Sequence, residues 1–295
     1  MLHAHPEESA NISWYGDWQD QRHAVVFDGR SRLDRRNLLR NYEGFNDVRL
    51  LNERIDQGAR LSLLEVGCAT GEFFRYLRSK HPTVRYYGID ISEPAVARAR
   101  AKYPDAPFFV TEPGARLGSL LPRLGVPEHP EVVYAKDVLQ HQTEPLEFLS
   151  DLVRAASDTV ILRCRTRDVG ATVWDPDQSC QYHYGGWMPY IVLNLEELTT
   201  HILNTVPASE IVIYRNHMVL GGQHNRFVPK ELYYPDTGTA ESAVGIFKRT
   251  AQPGTVVIRN RVDQNPSFTW DYLLKHAARQ MVDSFKVATG TQADR

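Results

Sequence analysis

The sequence predicts an α/β fold, a doubly wound and mostly parallel sheet of seven strands with helices on both faces. Three observations predict it. Short apolar runs alternate with segments of helical period along residues 61–165. The run 61–66 stops at a turn of small residues, Gly67-Cys68-Ala69-Thr70-Gly71, before a segment with Phe73, Phe74 and Leu77 on one face. A second run, 86–89, ends in Asp90, nineteen residues after Gly71, where such a sheet places the carboxylate at the tip of its second strand.

Strand, turn and helix here read as a nucleoside-binding βαβ unit. Gly67 and Gly71 leave room for a polar ligand to lie against the backbone, where a Cβ would collide with it. Asp90 can accept two hydrogen bonds from a ribose diol. A dinucleotide fingerprint would be G-x-G-x-x-G, whereas this turn is Glu65-x-Gly67-x-Ala69-x-Gly71. An acidic residue two positions before the first glycine suits a cationic ligand and would repel a pyrophosphate.

On these residues the chain resembles the class I S-adenosylmethionine-dependent methyltransferases, whose first motif is E-x-G-x-G-x-G. The resemblance covers roughly residues 45–165, with weaker agreement to about 250, and Ala69 replaces the middle glycine. It implies a Rossmann-like core with S-adenosyl-L-methionine as cofactor. Glu65 and Gly67 would then lie near the methionine moiety with Cys68 and Gly71 in the same turn, Asp90 would bind the ribose hydroxyls, and Ile91 would pack on the adenine. Glu112, after the third strand, is the candidate reader of the adenine amino group. A backbone carbonyl near Lys136 would hold the methionine end.

Composition narrows the class. A chain of 295 residues with 42% hydrophobic content can fill one large α/β core with additions. Lys plus Arg at 34 against Asp plus Glu at 36 gives a formal charge of −2, so no global basic field draws nucleic acid or anionic lipid. Three scattered cysteines, Cys68, Cys164 and Cys180, make no disulfide framework and fit a reducing compartment. No stretch approaches about 20 apolar residues, and the first eight are polar; the expected location is cytoplasmic.

Taken in order, residues 1–30 carry Trp14, Tyr15, Trp18 and Phe27 without a clear period and read as an arm or partial lid. Two helices follow within 31–57, the second with Val48, Leu51 and Ile55 at helical intervals, Asn46 as candidate N-cap and Gly58 as stop. Tyr42, Phe45 and Arg49 on them are candidates for contact with cofactor or substrate, or for plain packing on the sheet. Ser92-Glu93-Pro94 starts a helix whose buried side is Val96, Ala99 and Tyr103. The remaining strands are expected at 108–111, 131–137, 159–164, 210–214 and 243–247, with helices at 145–156 and 195–206. Beyond them come a strand at 255–258 and an amphipathic helix around 270–285 that either covers the core or makes a dimer contact, so a homodimer is a candidate assembly.

The expected organisation is an N-terminal arm and cap helices over residues 1–58, a core over 59–250, and a C-terminal extension over 251–295. The core carries an aromatic insertion at 165–190 and a loop insertion at 215–242. The aromatic insertion would wall an acceptor pocket with Tyr182, Tyr184 and Trp187, and His183 is the leading candidate base, beside His141 and Asp137. His217 and Arg226 in the loop insertion are substrate candidates, its Arg and Lys suiting an anionic group. Cys180-x-x-His183 has half of a zinc spacing and no second pair nearby, so no metal is expected. Neither an Asp/Asn-Pro-Pro-Tyr sequence nor a Pro-Cys nucleophile is present after the fourth strand. The reading is a methyltransferase acting on a small molecule or saccharide, O-directed by preference; RNA or protein methylation, or a silent cofactor-binding subunit, are the alternatives.

Overall fold

The structure, a computed structural model, describes residues 15–22, 24–25, 42, 45–56, 60–183, 186–216, 226–227, 239–260 and 281. Strands β1 (Ser62–Val66), β2 (Arg85–Asp90), β3 (Phe108–Val110), β4 (Val132–Lys136) and β5 (Thr159–Arg167) lie parallel in the order β3-β2-β1-β4-β5. A hairpin, β6 (Cys180–His183) and β7 (Gly186–Pro189), and the short β8 (Leu193–Asn194) follow, then β9 (Glu210–Asn216), β10 (Arg226–Phe227), β11 (Ala240–Phe247) and β12 (Val256–Asn260). The sheet continues past β5 as β11-β9-β12, with β11 antiparallel to both neighbours and β12 parallel to β9.

Side chains alternate across this sheet with the period of two that strands impose. Leu64, Val66, Val133, Ala135, Val160 and Leu162 enter one core, while Leu63, Val132, Tyr134 and Ile161 enter the other. Covering both faces explains why the central strands read as continuous apolar runs. Helices α1 (Asn46–Asp56), α2 (Glu72–Lys80) and α3 (Glu93–Lys102) cover the second core; α4 (Leu117–Arg123), α5 (Pro145–Ala155) and α6 (Leu195–Thr205) cover the first.

The helix ends follow local chemistry. The Ser92 hydroxyl caps α3 by accepting from the Ala95 N–H, and the Asn194 side chain accepts from Glu196 and Glu197 N–H at the start of α6. On α2 the buried residues are Phe73, Tyr76 and Leu77, at i, i+3 and i+4. Asn46 is the first helical residue of α1 rather than a residue before it.

Three differences from expectation have physical reasons. The main sheet has nine strands rather than seven among the described residues. The extra two are β12, the strand expected at 255–258, which joins the sheet beside β9, and the two-residue β8, which pairs with Thr166 and Arg167 because β5 runs on past Cys164. The aromatic insertion is not a plain loop: β6 pairs with β7, and β10 from the later insertion adds to β6, making a second sheet of three strands. Helix α4 is unpredicted; it has seven residues and a proline inside it. The expected first cap helix apart from Tyr42, the stop at Gly58 and the helix at 270–285 apart from Met281 lie outside the described residues.

A buried polar pair joins α1 to the centre of the sheet. The Tyr134 hydroxyl donates to Asp47 Oδ2 at 2.6 Å, and Asp47 Oδ1 has no hydrogen-bond partner among the described residues. Tyr134→Phe leaves that fully buried carboxylate without its donor and is expected to cost about 1–3 kcal/mol, read as a lower urea midpoint with an unchanged slope.

Candidate functional site

The order in which successive strands are added to the sheet reverses between the parallel neighbours β1 and β4, and at that switch point the carboxyl ends of the strands open into a cavity of about 550 Å³. The size is ordinary for a site that holds small ligands. Its floor is the turn between β1 and α2. Gly67 (φ +82°), Ala69 (φ +46°) and Gly71 (φ +78°) are all left-handed there. A Cβ on Gly67 would collide with Val138 Cγ2, so glycine is required at that position on two counts. Ala69 bears a strain on the order of 1 kcal/mol that glycine would not.

Four of the turn's five amides are already committed. Gly67 and Cys68 N–H both donate to the Ile89 carbonyl, at 2.8 and 3.1 Å, and Gly71 N–H donates to Cys68. Ala69 N–H donates to Asp90 Oδ2 at 2.8 Å, and Ser92 N–H to Asp90 Oδ1 at 2.8 Å. A phosphate-binding turn needs free N–H groups aimed at the anion, and these four point elsewhere. Asp90 keeps lone pairs for further donors, and burial raises its pKa despite the backbone amides of Ser92, Ala69 and Ile91.

Beside the turn, Glu65 faces the cavity and accepts from the Tyr86 hydroxyl. Burial pushes its carboxyl from about 4.5 up to about 8, against the pull of Tyr86 and of the Lys136 charge. A carboxyl in that state is short of a cation. Ile91, Glu112, Cys68 and Lys136 also line the cavity. Gly71 does not; a Cβ there would meet Phe108 Cζ at 2.9 Å and Tyr103 at 3.2 Å, so its need is packing of α2 against α3 and β3.

The three base candidates fare differently. Asp137 lines the cavity, but Arg163 Nε (3.2 Å) and Arg165 Nη1 (3.0 Å) both donate to its Oδ1, and Arg163 Nη2 donates to Oδ2. Burial alone would raise its carboxyl; the two guanidiniums overcome that and hold it well below the carboxylate range, which corrects its assignment as a base. His141 lies on the cavity wall in a short 3-10 turn after β4, Leu139–His141. Its Nδ1 donates to the Pro189 carbonyl at 2.8 Å, and Trp18 and Tyr190 meet its ring edge-on at 5.4 and 5.6 Å. A backbone carbonyl can only accept, so the neutral ring carries its lone pair on Nε2. His183 ends β6, and its side chain lies outside the described residues.

Of the proposed substrate contacts, Trp187 is buried in the β6–β7 hairpin and is not on the cavity wall. The side chains of Tyr182 and Arg226, and all of Tyr184 and His217, lie outside the described residues. The hairpin region instead sends Gln181, Met188 and Tyr190 to the wall. Sequence reasoning also missed Gln140, Arg163 and Arg165 there, whose only local signal is polar residues at the carboxyl ends of strands. From the N-terminus, Tyr15 bonds Thr143 Oγ1 at 3.2 Å, and Gln19 Nε2 donates to the Ile91 carbonyl at 2.6 Å, bringing the 3-10 turn Gly16–Gln19 to the cavity mouth. Among the described residues, no group of three or more His, Cys, Asp or Glu is placed to hold a metal, and no helix is long and apolar enough to cross a membrane.

Glu65 gives a pH test. Its folded pKa is raised, so the protonated carboxyl's stability is fully present below about pH 4.5 and is lost as pH climbs toward 8. By pH 7 the loss reaches about 3 kcal/mol. Unliganded Glu65→Gln is expected to show a flatter melting temperature between pH 5 and 8 than the wild type.

Residues 64–162 match the family model described as a methyltransferase domain. No curated protein sequence matches the chain. Among solved structures, the N-terminal domain of EvdMO1, crystallised in the presence of SAH and D-fucose, is similar at 14% identity and a TM-score of 0.49, over 73% of this chain and 97% of that one. The magnesium protoporphyrin IX methyltransferase ChlM from Synechocystis PCC 6803, with bound SAM, gives 16% identity and 0.40 over 81% of this chain and 99% of that one. The plantazolicin methyltransferase BamL gives 12% and 0.42, over 79% of this chain and 96% of that one.

Proposed function

We propose, from the premise that residues 64–162 form a methyltransferase domain, that the chain transfers a methyl group from S-adenosylmethionine to an oxygen of a small molecule or saccharide. The observation that carries the choice of donor is the turn 67–71: four of its five amides, those of Gly67, Cys68, Ala69 and Gly71, are bonded within the protein, while the carboxyls of Glu65 and Asp90 face the cavity. That set suits a ligand with a cationic amino-acid end and a ribose diol. It does not suit a pyrophosphate.

In this reading Asp90 accepts from the ribose hydroxyls and Ile91 packs against the adenine, whose amino group is read at Glu112. Glu65 takes the methionine ammonium, and Gly67, Cys68 and the Lys136 backbone carbonyl line the same end, with Gly71 shaping the turn from behind. Bound there, the cofactor supplies an electrophilic sulfonium methyl, and most of the acceleration comes from alignment of nucleophile, methyl and sulfur. An acceptor hydroxyl still has to lose a proton. His141 Nε2 receives it, the imidazole held in orientation by the Pro189 carbonyl on its far nitrogen. Trp18 and Tyr190 flank the ring and keep water from it. His183, Tyr182, Tyr184, His217 and Arg226 remain acceptor-side proposals, while Trp187 supports the hairpin from its buried position.

His141→Gln is expected to lower kcat for methyl transfer, measured as demethylated cofactor released, by about 10²–10⁴-fold, with affinity for that product kept within about twofold. Equal kcat in variant and wild type would remove the histidine from the mechanism.

A further inference from the structure

Charge divides the cavity. Glu65, Asp90 and Glu112 stand around the ends of β1, β2 and β3, whereas Lys136, Arg163 and Arg165 stand at the ends of β4 and β5. The guanidiniums are matched: Arg163 and Arg165 both bond Asp137, Arg165 pairs with Glu241 at 3.2 Å, and Arg165 Nε also donates to the Tyr190 hydroxyl. Lys136 is not. No carboxylate among the described residues lies within ion-pair distance of its ammonium, which sits 4.9 Å from the centre of the Tyr42 ring and 5.0 Å from that of Phe45. The carboxylates that act on it from further off are bonded elsewhere, Asp137 to the arginines, Asp47 to Tyr134 and Glu65 to Tyr86. Burial, then the neighbouring Arg163 charge, pulls its pKa below the usual lysine value.

Two aromatic faces offset part of the cost of burying an ammonium, and an anion would offset the rest. We propose that the methyl acceptor carries a carboxylate, and that the Lys136 ammonium in its Tyr42–Phe45 seat receives it. The proposal rests on the methyltransferase reading. One unmatched positive charge with three donors suits a monoanion; a phosphate dianion would call on guanidiniums that Asp137 and Glu241 already occupy. The assignment concerns the side chain alone and leaves the backbone carbonyl of Lys136 to the cofactor.

The test uses the full chain saturated with S-adenosylhomocysteine, with acetate as probe, the smallest carboxylate the seat would admit. Calorimetry first confirms that the wild type, Lys136→Met and Lys136→Arg bind S-adenosylhomocysteine alike. Methionine keeps an unbranched chain between the two rings. Melting is then followed in sodium acetate and in sodium chloride at equal ionic strength. Acetate is expected to raise the melting temperature of wild type and Lys136→Arg by about 2 °C or more and to leave Lys136→Met unmoved. In chloride, Lys136→Met should melt above the wild type, because it removes a partly buried charge that no carboxylate among the described residues pairs with.

Equal acetate shifts in all three proteins, no shift in the wild type, or a Lys136→Met that melts below the wild type in chloride would each overturn the proposal. So would loss of S-adenosylhomocysteine binding by Lys136→Met with binding of 5′-methylthioadenosine intact, which assigns the ammonium to the cofactor's own carboxylate. Failure of the wild type to bind S-adenosylhomocysteine at all would instead strike the methyltransferase reading on which the proposal stands.

Discussion

The Asp90 carboxylate is the tie on which the site depends. Its two oxygens accept the Ala69 and Ser92 N–H groups, each at 2.8 Å, and so join the turn after β1, the end of β2 and the start of α3. Without it, the left-handed Ala69 would have little to hold it, since an L-residue gives up on the order of 1 kcal/mol to adopt that geometry. The same bonds decide the ligand chemistry. A turn that donates four of its five amides inward has little to offer a phosphate, and the carboxyl oxygens of Glu65 and Asp90 face the cavity beside it.

Acidic and basic walls then divide the work. On the β1–β2 side Glu65 is buried far enough that its carboxyl rises to about 8, a state that a bound cation would reverse. On the β4–β5 side two arginines fix Asp137 as an anion, which makes it a brace for the strand ends instead of a proton acceptor. His141 follows β4 by five residues, on the basic side of the cavity, and is oriented by a carbonyl from the β7 end. The rings of Trp18 and Tyr190 pack edge-on against it. An imidazole so held is better suited to take a proton than a carboxylate gripped by two guanidiniums.

Much of the fold is local and therefore legible in the sequence. The turn Glu65–Gly71, the carboxylate nineteen residues beyond it and the caps at Ser92 and Asn194 are all read from spacing, and each stands where spacing puts it. What spacing cannot show is which side chains share a wall. Asp137 reads as a base until Arg163 and Arg165, 26 and 28 residues later, are brought beside it by the parallel pairing of β4 and β5. Gly71 reads as a ligand contact, yet its neighbours are Phe108 and Tyr103 from other elements. The hairpin β6–β7 is hidden because aromatic residues there have no clean alternation, and α4 because seven residues with an internal proline carry too little periodicity.

The central claim is that Asp90 both closes the turn and holds the cofactor's ribose. Calorimetric titration of S-adenosylhomocysteine into wild type and Asp90→Asn, each shown to be folded by its far-ultraviolet spectrum and free of carried-over ligand, tests it most directly. The account predicts tight binding to the wild type and a loss of at least about 100-fold in the variant, since a diol loses two charge-assisted bonds and the turn one brace. Undiminished binding to Asp90→Asn, or none to the wild type, would contradict it.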